Sequence, residues 1–345
     1  MSQIHLTHAE RIQALERLGY RDREASFLCL AALHGGYFLR RQYARFLGKA
    51  VGGTAATLIE KILANGHAKG TTYATNTHIY HLCARPFYAA LGQEDNRNRR
   101  LRQPVSIKSK LMDLDFVLAH PDVEYLATEQ EKTDYFTRRL QLDPLLLPTK
   151  RYASQGQTTE RYFVGKFPIF LRPAAQSALS PVVSFCFVDE GAAGISGFET
   201  FLKKYRMLLA GLREFQLIYV AEADRHFEAA ARAYGRCFNQ ESVAQQAALG
   251  DPRIDRLIAH FEARRLYEAQ QWSGFDRAKL IQFRDERTQF SGPRFDSLYE
   301  RWNVGGEAAL RSILNPKTAS GTPGHGAFST CLLEENYDLF GSAAA

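Results

Sequence analysis

The chain has 345 residues, 45% of them hydrophobic and 23% charged, which suits two or three globular domains and excludes a disorder-dominated chain. Its net charge of +7 is unevenly placed: residues 1–110 hold 17 Lys and Arg against 7 Asp and Glu, while the remainder holds 27 against 30. A basic module joined to a near-neutral remainder is the footprint of phosphate binding rather than of solubility alone. No stretch approaches the roughly 18 apolar residues of a membrane span. Residues 1–20 lack a signal-peptide run, and the five scattered cysteines form no CxxC pair, so a cytoplasmic chain with reduced thiols and no membrane partner is expected.

A leading helix or arm over residues 1–22 is suggested by Ile12, Leu15 and Leu18 at helical spacing. Ala25, Phe27, Leu28, Leu30, Ala31 and Ala32 predict a helix that stops at Gly35 and Gly36. Tyr37 and Phe38 re-enter the core. A short helix over 39–47 follows, with Tyr43, Phe46 and Leu47 on one side and Arg40, Arg41 and Arg45 on the other. Gly52, Gly53 and Thr54 supply a turn and an N-cap for a helix over 55–65, in which Leu58, Ile59, Ile62 and Leu63 recur with period 3.6 and Thr54, Thr57, Glu60 and Lys61 face away. After the stop at Asn65 and Gly66, β-prone runs over 67–72 and 77–83 form a hairpin around 73–76, and a helix over 85–91 ends at Gly92.

This order is that of a winged helix-turn-helix, assigned to residues 1–92. Such a unit sets its third helix in a major groove and its hairpin on a backbone or minor groove. Thr54, Thr57 and Lys61 are the candidate base contacts. Arg40, Arg41, Arg45 and Lys69 are candidate phosphate contacts, joined by Arg97, Arg99, Arg100 and Arg102 from a basic linker over 93–110. The competing reading of the same unit is a protein-interaction adaptor with an incidental basic face.

A second domain over 111–239 begins with the helical stripe Leu111, Leu114, Val117 and Leu118, ending at His120 and Pro121. A strand over 123–128, an amphipathic helix over 128–140, strands over 161–164, 167–171 and 182–188, a helix over 198–212, a strand over 215–220 and a helix over 225–237 follow. That alternation implies a small α/β sheet with helices on its faces, giving an α+β or α/β chain overall. Residues 240–314 read as a helical extension that wraps this domain or pairs two subunits. Residues 315–345 read as a mostly flexible tail, being rich in Gly, Thr, Ser and Pro up to residue 328.

Chemistry is sparse. The run VSFCFVDEG carries Asp189 and Glu190 to the end of a buried strand, a glycine loop follows, and the next helix carries Lys203, Lys204 and Tyr205, an arrangement resembling a metal-dependent phosphodiesterase site. Gly191, Gly194 and Gly197 follow GxxGxxG rather than GxGxxG, and two carboxylates beside them would repel a phosphate. His78 and His81 lie on a strand and point to opposite faces, which argues against a metal pair. His34 reads as a packed turn residue. There is no GxSxG, no Walker loop and no Cys–His pairing.

The stretch ALHGGYFLRRQY of the first unit, joined to FCFVDEG, FETFLKKYRMLL and FQLIYVAE of the second, resembles the replication-relaxation-type proteins of plasmids and other mobile elements. Those proteins join a winged helix to a restriction-endonuclease-like domain. The resemblance implies that Asp189 or Glu190 corresponds to the nuclease strand acid and Lys203 or Lys204 to a helix-borne lysine. No upstream acid accompanies Lys166, Phe167 and Pro168, and Glu190 is followed by Gly and Ala instead of the spaced lysine, so a catalytically degenerate domain is expected. The resulting reading is a homodimeric, sequence-specific binder of double-stranded DNA without a cofactor or metal, serving transcription, replication or maintenance of a mobile element. The rival reading is a metal-dependent nuclease using Asp189, Glu190 and Lys203.

Overall fold

The computed structural model describes residues 6–50, 52–73, 77–154, 157–164, 167–172, 181–192, 194–238, 252–287, 290–314, 325–335 and 337. Thr7 caps α1 (His8–Arg17): its hydroxyl accepts from the Glu10 amide while the Glu10 carboxylate accepts from the Thr7 amide, which satisfies two otherwise free donors. Next, α2 (Asp22–His34) buries Ala25, Phe27, Leu28, Ala31 and Ala32. It ends at Gly36, whose φ of +80° is a conformation that favours glycine. The order then runs β1 (Tyr37–Leu39), α3 (Arg40–Phe46), α4 (Gly53–Ala64), β2 (Ala68–Thr72), β3 (His78–Leu82) and α5 (Arg85–Ala90). The three strands form one antiparallel sheet in the order β1-β3-β2. On α4 the stripe Ala55, Leu58, Ile59 and Ile62 is buried, while Thr54, Thr57 and Glu60 are exposed. Residues 74–76 of the expected hairpin turn lie outside the described residues.

The largest departure from the sequence reading is at 93–110. Asn98 is buried and donates to the carbonyls of Ala32 and Leu33 at 2.8 and 3.2 Å, and α6 (Pro104–Ala119) starts well before Leu111. Pro104 fits its first turn, where a missing amide costs nothing. Instead of a solvated linker and a separate second domain, α6 is a central helix. Leu114 packs into the core of the N-terminal unit. Ile107, Leu111, Met112 and Phe116 pack with Tyr37, Leu39 and Ile79 from that unit and with Phe170, Cys186, Val188, Ile218 and Val220 from the large sheet. One hydrophobic cluster therefore joins the two halves.

That sheet has the order β10-β9-β8-β7-β4. Strands β8 (Val182–Asp189), β9 (Glu214–Ala221) and β10 (His325–Leu332) are parallel, while β7 (Ile169–Arg172) runs antiparallel to both β8 and β4 (Glu124–Tyr125). Alternation along β8 decides its two faces. Phe185 and Phe187 meet Phe198, Phe201 and Tyr205 of α8 (Gly194–Ala210), whereas Cys186 and Val188 meet α6. The expected 128–140 helix is α7 (Glu129–Asp134) widening into a π-helical turn, Tyr135–Arg139. A separate hairpin, β5 (Thr149–Ser154) with β6 (Gln157–Tyr162), follows it, and α9 (Phe227–Phe238) comes after β9.

The flexible-tail expectation is also corrected, since β10 completes the sheet in register with β9 and Tyr337 is 2% exposed in the joint core. Residues 315–324 lie outside the described residues, as do 239 and 240–251, the last range being the start of the expected helical extension. Helices Pro252–Glu268 and Pro293–Leu314 gather around Phe261, Leu298 and Trp302, Leu145 joins that cluster from the α/β unit, and Arg277–Arg287 packs on the first of these helices through Phe283 against His260. Among the described residues no helix is long and apolar enough to cross a membrane, and all five cysteines are free.

Candidate nucleic-acid interface

The N-terminal unit brings α3, α4 and the β2–β3 hairpin together. The first turn of α3 is held by Gln42, whose Oε1 accepts from the Leu39 amide at 2.8 Å and whose Nε2 donates to the Leu111 carbonyl at 2.9 Å. On this frame Arg40 is exposed and donates to the Gly52 carbonyl at 2.8 Å, which ties the start of α3 to the turn before α4. The expected role of Arg41 is overturned. Its guanidinium donates to both oxygens of fully buried Asp115 and lies 3.2 Å from Glu335, so its donors face protein carboxylates rather than solvent. Arg45 is exposed but pairs with Glu335 at 3.4 Å.

On α4, Thr54 and Thr57 are exposed, with the Thr57 hydroxyl donating to the Gly53 carbonyl at 3.1 Å. Lys61 is a second correction. Its ammonium pairs with Glu24 at 2.7 Å and lies 5.3 Å from the Tyr20 ring centroid, so it braces α4 against α2. A base contact by Lys61 would first have to break that pair.

On one side of the small sheet the buried rings of Tyr37 and His81 stack 4.1 Å apart, nearly parallel at 4°. The cross-strand partner of His81 on β2 is exposed Lys69. Burial holds His81 below the usual imidazole range; the Asn98 carbonyl opposes this, and the charges of Lys69 and Arg102 add to it. The Arg97–Arg102 segment lies beside this face. The Tyr37 hydroxyl accepts from the Arg102 amide at 3.0 Å, Arg99 donates to the Glu94 carbonyl at 2.7 Å, and Arg102 donates to the Arg97 carbonyl at 3.2 Å. Arg100 and Arg102 are exposed, whereas Arg97 lies over the ring of Tyr152, 4.0 Å from its centroid. These arginines are therefore mounted on a folded segment, not on a hinge.

The second candidate site lies at the ends of β8 and β9. Burial would raise the Asp189 carboxyl, but hydrogen bonds from Tyr219, His226 and the Gly191 amide outweigh it and hold the group below its ordinary value. Burial and then the Asp189 charge push Glu190 up. Lys203 is exposed on α8, nine residues and so about 13 Å along the helix axis beyond the start of that helix. Asp189, Glu190 and Lys203 thus do not converge on one ion, and no group of three His, Cys, Asp or Glu side chains suited to a metal occurs among the described residues. The residues sequence reasoning missed here are Tyr219 and His226, which have no motif and reach Asp189 only through the parallel register and the turn after β9.

No family model matches the chain, and no curated protein or solved structure is similar to it.

Proposed function

We propose that the chain is a sequence-specific binder of double-stranded DNA whose N-terminal unit is a winged helix. The observation that carries this reading is the sheet order β1-β3-β2 combined with an α4 that buries Ala55, Leu58, Ile59 and Ile62 and leaves Thr54 and Thr57 exposed. In the proposal Thr54 and Thr57 face base edges, and Arg40, Lys69, Arg100 and Arg102 meet phosphates, with Arg41 and Lys61 reassigned to holding the unit together. The α/β unit is a restriction-endonuclease-like scaffold that does not cut. The chain acts as a homodimer, since one such unit reads few base pairs and two half-sites lengthen the recognised sequence. Its service to a mobile element, in transcription, replication or maintenance, rests on the resemblance of the ALHGGYFLRRQY and FCFVDEG stretches.

Selection of duplexes from a random pool by the full chain tests the reading. Enrichment of one sequence is expected, with Thr57→Ala relaxing preference at one position by about 1 to 3 kcal/mol. Failure of the folded protein to enrich any duplex overturns it. Supercoiled plasmid incubated with Mg²⁺ or Mn²⁺ should stay intact, and nicking abolished by Asp189→Ala would restore the nuclease reading.

A further inference from the structure

Several cations of the protein pair with a carboxylate. Arg85 pairs with Glu94 at 2.6 Å, Arg236 with Glu199 at 2.8 Å, Arg264 with Asp296 at 2.7 Å and Arg311 with Asp255 at 2.5 Å. One line of cations without such a partner is instead contiguous across both halves of the chain. It starts at Lys69 on the β2–β3 hairpin, crosses His81 to Arg102, and passes by the Arg102 bond to the Arg97 carbonyl. Arg97 then lies over Tyr152, whose ring centroid is also 5.6 Å from the Lys150 ammonium. The line ends at Lys204 on α8, a half-buried ammonium depressed first by burial and then by the charge of Lys150. No carboxylate lies in ion-pair range of Lys69, Arg97, Arg102, Lys150 or Lys204 among the described residues.

Holding unpaired like charges side by side costs energy unless an anion shares them. Tyr152 supplies part of that support, because a ring face attracts Arg97 and Lys150 while leaving the in-plane guanidinium N–H groups of Arg97 able to donate. We propose that Lys69, Arg102, Arg97, Lys150 and Lys204 form one track for the phosphodiester backbone of duplex DNA, leading from the hairpin onto the α/β unit, outside the base pairs that α4 reads. This rests on the DNA-binding reading and adds to it a second, sequence-independent contact from a half of the chain whose overall charge gives no hint of one. Duplex DNA is the fitting partner because the track is continuous with the hairpin of the winged unit, so a helix seated on α4 has its flanking backbone at hand.

The test uses the full chain and two duplexes, one limited to the selected core of about 12 base pairs and one extended by about 15 base pairs on each side. Wild-type protein should bind the extended duplex at least tenfold more tightly, with a salt dependence of log K steeper than on the short one. The double variant Lys150→Glu, Lys204→Glu should lose most of that advantage and about 1.8 units of that slope, 0.9 for each phosphate contact. Lys150→Gln with Lys204→Gln repeats the test if charge reversal at half-buried Lys204 impairs folding. Retention of the tenfold advantage by a folded double variant overturns the track while leaving α4 reading intact. Absence of binding to either duplex by wild-type protein overturns the DNA reading and the track together. Wild-type binding to phosphatidylserine vesicles but not to duplex, lost in the variant, would assign the track to a membrane surface and overturn the proposal.

Discussion

Arg41 and Asp115 are 74 residues apart in sequence, yet the guanidinium of one spans both carboxylate oxygens of the other at 2.8 and 2.9 Å. Asp115 is fully buried, and the Tyr337 hydroxyl donates to it at 2.6 Å, so a residue of α3, one of α6 and one from the C-terminal segment meet at a single carboxylate. Arg41→Ala leaves that charge in the core with one donor. A loss of about 3 kcal/mol or more is expected, the magnitude found when one member of a buried pair is removed. Urea unfolding at pH 7 measures it. Unchanged stability together with weakened DNA binding would return Arg41 to the surface contacts.

His34 gives the acid limb of stability a definite sign. Burial drives its pKa from 6.5 down to about 3, and the charges of Lys132, Lys110 and His8 add to the effect. Between those values the unfolded chain binds the extra proton, so the contribution of His34 is complete above pH 6.5 and is lost as pH falls towards 3. In His34→Gln the slope of stability against pH between 6.5 and 5 should be shallower by up to about 1.4 kcal/mol per pH unit. Equal slopes in both proteins would show that the imidazole titrates in contact with water.

Gly36 has the least room of the turn glycines in the N-terminal unit. A Cβ there would come within 2.8 Å of the Asn98 carbonyl and 2.9 Å of the Tyr88 hydroxyl, on a backbone with φ of +80°. Gly36→Ala should therefore cost about 2 kcal/mol or more, through strain and through displacement of the segment carrying Arg97 and Arg102. A melting temperature within a degree of wild type would contradict this.

Removal of residues 325–345 is expected to lower the melting temperature sharply and promote aggregation, because it strips β10 from β9 and takes Tyr337 from Asp115. A truncated chain with wild-type unfolding would mean that the sheet is complete without its fifth strand.

The elements that were legible in the sequence are those whose packing is local. Leu58, Ile59 and Ile62 fix the buried face of α4 by spacing alone, and the apolar runs ending at Val188 and Val220 announce β8 and β9. The start of α6 was hidden because SIKSK looks solvated. Lys108 and Lys110 find Glu222 and Asp113, and Ile107 alone marks the buried side. Strand β10 was masked by Gly, Ser and Thr, of which Gly326 is demanded by the nearness of Phe215 and Tyr234. Within the candidate interface, exposure of Arg40, Thr54, Thr57 and Lys69 followed from amphipathic spacing. The tethering of Arg41 by Asp115 and of Lys61 by Glu24 did not, since each acid lies on another helix. Lys150 stayed unnoticed because it belongs to the charge-balanced part of the chain, and Lys204 stood out only as a candidate nuclease lysine.

Because α6 lends side chains to the clusters on both of its sides and Arg97 lies over Tyr152 of β5, the distance between α4 and the β5–β6 hairpin is a fixed dimension of the protein rather than the reach of a tether. A duplex that touches both must adapt its own curvature and twist to that ruler. Flanks rich in easily deformed pyrimidine–purine steps should then be held more tightly than stiff A-tracts, with no side chain reading a base in either.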